Sequence, residues 1–229
     1  MVKLSETIFK KGRGESYIRC MGDTYLSLML SRVQSLIIKS GYNLEDMILA
    51  KATTLYEIDD FLEHEIDGTF LVPKKAIKKS QKVNFNGVEP DFMVLVVGDG
   101  NKTCHLVELK DGCDFDTKSA EAEYKHMNDF ITTNARKLQY RFEGHICCFN
   151  ETSRDAIVAG FKNKITTEIA MTGREFCELI NLDYDSIVLE RKRDQRSNFK
   201  YFISEILKDE SVRLEVINVL KTNNWLDHE

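Results

Sequence analysis

The stretch from Pro90 to Gly112, PDFMVLVVGDGNKTCHLVELKDG, constrains the fold more than any other part of the chain. Asp99-Gly100 is a favoured pair for a two-residue type I′ turn, which needs positive φ at both central positions. The apolar runs on either side, Phe92 to Val97 and Thr103 to Leu109, are then the two arms of an antiparallel hairpin. With Gly98 facing Asn101, the turn sets the register, so that Asp91 falls opposite Glu108 and Glu89 opposite Lys110. Residues two apart on a strand share a face. Glu89, Asp91, Glu108 and Lys110 are therefore expected to cluster on one side of a sheet. A lone charge beside apolar strand residues costs several kcal/mol (roughly 2 or more), so a cluster of this kind implies a ligand.

Two facing carboxylates repel and hold raised pKa values unless a cation lies between them. Carboxylate oxygens, a backbone carbonyl and water are the donors that Mg²⁺ prefers, and the Leu109 carbonyl is placed to add to Asp91 and Glu108. Lys110 would lie beside such an ion, where its ammonium can orient or help deprotonate an attacking water and offset phosphate charge. Pro90 suits a strand entrance, where its missing N–H is not needed.

Pro90-Asp91, an apolar strand, a tight turn, a second apolar strand and Glu108-Leu109-Lys110 together resemble the PD-(D/E)XK nuclease superfamily. The order of elements agrees: helices first, the hairpin, a following helix, then a strand at HICCFN. The resemblance implies that Asp91 and Glu108 bind Mg²⁺ and that Lys110 serves the nucleophilic water. Many members add an acidic residue from an upstream helix, for which Glu15, Glu57 and Glu63 are candidates. No GxxxxGK[ST] loop is present to power a motor. The helix after Lys110 lacks the glutamine and tyrosine pair of recombination-type exonucleases. A free-standing chain with over a hundred residues outside the hairpin looks most like a type II restriction endonuclease. That likeness implies sequence-specific cutting of double-stranded DNA by a homodimer, leaving 5′-phosphate and 3′-hydroxyl ends, with a cognate DNA methyltransferase as a genetic partner. A repair or mobile-element nuclease of the same fold and a non-cutting DNA-binding module are the alternatives.

The rest of the 229-residue chain fits one α/β domain in which helices flank a central mixed β-sheet. A helical N-terminal part (1–68) and a helical C-terminal part (151–229) are expected around a catalytic core (69–150). Helical spacing from Tyr17 to Ile37 predicts a helix that stops near Gly41. Asn43 would cap a second one running to Asp67-Gly68. TFLVP and HICCFN read as strands, and Thr117 to Tyr140 as a helix capped by Asp116, with Lys118, Glu121, Lys125 and Asn128 on its polar face. RDAIVAGFKNKI, GREFCELI, NFKYFISEILKD and RLEVINVLKTNNWL read as further helices.

A formal charge of −5 argues against coating nucleic acid by bulk electrostatics, but leaves local basic faces at Lys74 to Lys82 and Arg191 to Arg196. No signal core and no long apolar run occurs, which points to a cytoplasmic protein with no membrane partner. The six cysteines form no CxxC pair and are expected to be buried thiols. The five histidines form neither HEXXH nor an HNH-like set, and His105 is expected to be a packed residue on the sheet face opposite Glu108.

Overall fold

The hairpin turn behaves as its dipeptide requires: Asp99 and Gly100 take φ of 51° and 74°. In the computed structural model, which describes residues 3–7, 15–84, 90–112 and 117–223, the arms are β2 (Phe92–Gly98) and β3 (Asn101–Lys110). Their register pairs Gly98 with Asn101 and Phe92 with Val107, so Asp91 and Glu108 stand one step beyond the last pair.

The described chain contains two compact units, residues 1–43 with 186–229, and residues 44–185. The first is helical, built from α1 (Glu15–Met21), most of α2 (Thr24–Lys51), most of α8 (Tyr184–Ile206) and α9 (Glu210–Thr222). Within it, the Arg32 guanidinium lies 5.5 Å from the Tyr201 ring centre and donates to the Leu4 carbonyl at 3.1 Å. α2 does not stop at Gly41. Its backbone bonds run on to Lys51, because a lone glycine costs only about 1 kcal/mol in a helix and Leu44, Met47 and Ile48 bury the following turn. The second expected helix ends there too. Thr54 instead bridges Leu71 of the sheet, and only Ile58–Phe61 (α3) coils again before the strand.

The second unit carries a mixed sheet in the order β1 (Gly68–Pro73), β2, β3, β4 (Arg141–Cys148), β5 (Ala170–Thr172). The first three strands are antiparallel; β3, β4 and β5 are parallel. Parallel neighbours need crossovers. These are α5 (Thr117–Leu138) between β3 and β4, and α6 (Arg154–Gly160) between β4 and β5. Strand β5 is three residues long and has no alternation to read from sequence. A short α4 (Lys74–Lys79) follows β1 directly, and α7 (Gly173–Leu179) follows β5 with a Thr172–Glu175 capping box.

One sheet face, with Val72, Met93, Leu95, Cys104, Leu106 and Ile146, packs under Phe61, Ile77, Met127, Phe130 and Ile157 from α3 to α6. On the other, Phe92 stacks with Phe176 of α7 at 5.9 Å. Cys104, Cys147, Cys148 and Cys177 are buried, whereas Cys20 is exposed; Cys113 lies outside the described residues. Among the described residues, no helix is long and apolar enough to cross a membrane.

Candidate active site

The open end of the hairpin brings Asp91, Glu108 and Lys110 together. Asp91 sits just before β2, and its Oδ2 accepts the Leu109 backbone N–H at 2.9 Å. Its own carbonyl accepts from the Lys74 N–H at 3.2 Å, which ties the start of α4 to the same point. Glu108 and Lys110 lie two apart on one face of β3. The Lys110 Nζ is 2.5 Å from Glu108 Oε1 and 3.0 Å from Glu123 Oε1 on α5. Side-chain exposure is 15% for Glu108 and 21% for Lys110, so the charges are largely withdrawn from water.

Burial, and then the charge of Asp91, push the Glu108 carboxyl up to about 8. Burial also raises Asp91, although its bond from the Leu109 N–H and the Lys110 charge oppose the rise. For Lys110, burial works to lower the ammonium, but the Glu108 and Glu123 carboxylates outweigh it and the net shift is upward. The lysine is held as a cation while Glu108 and Asp91 resist ionisation. Glu108 therefore keeps its proton at neutral pH unless a further cation enters.

Glu63 turns away to a salt bridge with Lys82 at 2.7 Å, and Glu57 is exposed where α3 begins. The Glu15 side chain and the whole of Glu89 lie outside the described residues. The acid that approaches from the N-terminal helices is Glu45 of α2. Burial, followed by the Asp91 charge, pushes it up to about 7. Glu45 and Asp91 line one cavity of about 290 Å³ with Asp46, Lys74, Lys75 and Lys78. The basic run read from the sequence thus forms part of the wall around the acids. A smaller recess of about 30 Å³, lined by Pro90, Glu108, Glu123 and His126, adjoins the other side.

Two residues of this site escaped sequence reasoning, and each carried a signal. Glu123 stands four and seven residues before the buried Met127 and Phe130, so it continues the apolar stripe of α5 by one turn. Glu45 likewise lies within the stripe of Leu44, Met47 and Ile48. Lys125 and Asn128 on the opposite face of α5 are exposed; the side chains of Lys118 and Glu121 and the cap residue Asp116 lie outside the described residues.

Compared with known proteins, the chain is 35% identical over 224 residues to the type II restriction enzyme HhaII of Haemophilus parahaemolyticus, covering 94% of this chain and 98% of the relative. No family model matches the chain. No solved structure matches it either. An alignment of that extent takes in the hairpin, the crossover helix and the flanking helices together, and the chain therefore belongs to the type II restriction enzyme family of HhaII.

Proposed function

We propose that the chain is a Mg²⁺-dependent, sequence-specific endonuclease of the PD-(D/E)XK superfamily that hydrolyses duplex DNA to 5′-phosphate and 3′-hydroxyl ends. The observation that carries this reading is the pair of half-buried acids, Asp91 and Glu108, meeting at a strand end with Lys110 beside them. The donor set fits the ion: Asp91, Glu108, Glu45 and Glu123 offer carboxylate oxygens throughout, and burial followed by the Asp91 charge raises the Glu108 carboxyl, which a bound cation would offset. Asp91, Glu108 and the Leu109 carbonyl would hold Mg²⁺, with Glu45 able to add an oxygen from the shared cavity. When bound, the ion supplies Lewis-acid stabilisation of the phosphate and lowers the pKa of its water.

The chain's own groups divide the remaining work. The Leu109 N–H fixes the Asp91 carboxylate, so that its orientation survives ligand exchange. Glu123 holds the Lys110 ammonium against the sheet at 3.0 Å, limiting its rotamers to those near Glu108. From there Lys110 orients the attacking water and faces the charge that develops on phosphate. Lys74, Lys75 and Lys78 provide local positive potential beside the acids in a chain of net charge −5, and they would contact the DNA backbone.

The active form is a homodimer acting in the cytoplasm with a cognate DNA methyltransferase as its genetic partner. Exposed Ile37, Ile38, Leu189, Phe199, Leu214 and Ile217 on the long helices of the first unit support an apolar contact between copies. The deciding experiment digests unmethylated phage DNA with the purified protein and Mg²⁺. Discrete bands are expected, and an Asp91→Asn protein should give none. Smearing, or cutting that persists in the variant, would overturn the reading.

A further inference from the structure

On the sheet face opposite Glu108, β3 and β4 run parallel with His105 paired to Glu143 and Val107 to His145. This alternation turns His105, Glu143 and His145 to the same side. The His105 Nδ1 lies 3.0 Å from the His145 Nε2 and 3.4 Å from the Glu143 Oε2, while the Glu143 Oε2 is 3.9 Å from the His145 Nε2. The two rings stack at 5.2 Å with 25° between their planes. We propose that these three side chains form a second metal site, separate from the Asp91 and Glu108 pair, that takes a divalent transition ion such as Zn²⁺.

Bonds of about 2.0–2.1 Å at tetrahedral angles hold neighbouring ligand atoms roughly 3.3 Å apart. The three observed separations bracket that value, so an ion can enter with shifts of a few tenths of an ångström. Two imidazoles and one carboxylate suit zinc-like ions rather than Mg²⁺, which favours oxygen donors throughout. Burial lowers the pKa of both imidazoles, which favours the neutral form that coordinates. The His145 Nε2 is the ring atom aimed into the cluster, and the buried, partnerless Nδ1 would then carry the ring's proton. Arg141 grips the other Glu143 oxygen, Oε1, at 2.9 Å and so orients the carboxylate from outside. The remaining charges felt at His145 come from Arg154 and Glu175, which are paired with each other at 2.8 Å. Side-chain exposure of 14% at His105 and 33% at Glu143 leaves a path for the ion and room for a water as fourth ligand.

The site would clip together the two strands between which α5 crosses. Strand β3 carries Glu108 and Lys110 and the crossover helix carries Glu123, so an ion here would brace the active site from the opposite sheet face. A bare hydrogen bond between the rings is the competing account of the 3.0 Å contact, and it needs no ion. The two are separated in a chelator-stripped Asp91→Asn protein, in which the acidic pair has lost one carboxylate. Calorimetric titration with Zn²⁺ should show one equivalent bound at micromolar affinity or better. Co²⁺ should give the visible absorption of a low-symmetry four-coordinate site, and Zn²⁺ should raise Tm. Adding His105→Gln or Glu143→Gln should weaken Zn²⁺ at least tenfold; Glu143 is partly exposed, so its variant should keep the fold, as circular dichroism would verify. No binding up to millimolar Zn²⁺, or undiminished binding in either variant, would overturn the proposal.

Discussion

Replacing Glu108 by glutamine should stabilise the metal-free protein at pH 8 and change little at pH 5. The carboxyl moves from an ordinary 4.5 to about 8 in the folded chain, so the folded state binds its proton more tightly than the unfolded state does. A raised folded pKa leaves stability intact below about 4.5 and removes it progressively as pH climbs to about 8. At 1.36 kcal/mol for each pH unit, the full window corresponds to about 5 kcal/mol and the loss at pH 8 to about 4. Glu45, pushed up to about 7, adds a loss of the same sign. Glutamine is nearly isosteric and never ionises, and Lys110 keeps Glu123 as a partner, so the variant escapes the Glu108 part of the loss.

Urea unfolding followed by circular dichroism, in excess chelator, should therefore give Glu108→Gln an advantage of at least about 2 kcal/mol at pH 8, shrinking to within about 1 kcal/mol at pH 5. Saturating Mg²⁺ should raise the parent but not the variant, which closes the gap at pH 8. A variant less stable than its parent at pH 8, or a difference that does not move with pH, would refute the electrostatic account of this site.

The remaining expectations concern chemistry, assembly and packing. Cleavage should require Mg²⁺ or Mn²⁺, with Ca²⁺ supporting binding but little cutting; undiminished activity in excess chelator counts against the site. Lys110→Ala should lose roughly a hundredfold in single-turnover cleavage rate. It should also unfold more readily at pH 8, by about 3 kcal/mol, because Glu108 and Glu123 lose the cation between them; a variant that cuts at the parent rate removes Lys110 from the mechanism. Sedimentation of the DNA complex in Ca²⁺ should find two chains per duplex, and a single chain making both cuts would exclude the dimer. Gly173→Ala should cost about 3 kcal/mol, read from its urea midpoint, since an added Cβ would fall 2.1 Å from the Phe149 carbonyl oxygen; a neutral result would show that β4 and α7 can part there.

The hairpin was legible because its information is local. One dipeptide fixes the turn, the turn fixes the register, and a period of two then assigns every side chain to a face, so Asp91, Glu108 and Lys110 follow without knowledge of the rest. Helix boundaries are set less locally. Gly41 is a plausible stop on its own merits, and the burial of Leu44, Met47 and Ile48 overrides it. Strand β5 exists because β4 offers an unpaired edge to three small or apolar residues, and no periodicity in AMT announces it. Glu45 and Glu123 were hidden for a related reason: a carboxylate within an apolar helical stripe is visible, but the group it meets depends on where the helix docks.

That docking explains why the acids gather where they do. Below the hairpin mouth, Met93, Leu95, Cys104 and Leu106 are fully buried, and α5 lies on them through Met127 and Phe130. The apolar contact fixes α5 in position, and its next turn toward the N-terminus brings Glu123 to Lys110 whether or not their charges favour it. Area burial of this kind yields roughly 1.5–3 kcal/mol for each large side chain, enough to offset the several kcal/mol that an under-compensated Glu108 costs at pH 8. The core therefore carries the electrostatic strain of the site. An added positive charge at the site would relieve that strain without uncoupling α5 from the sheet.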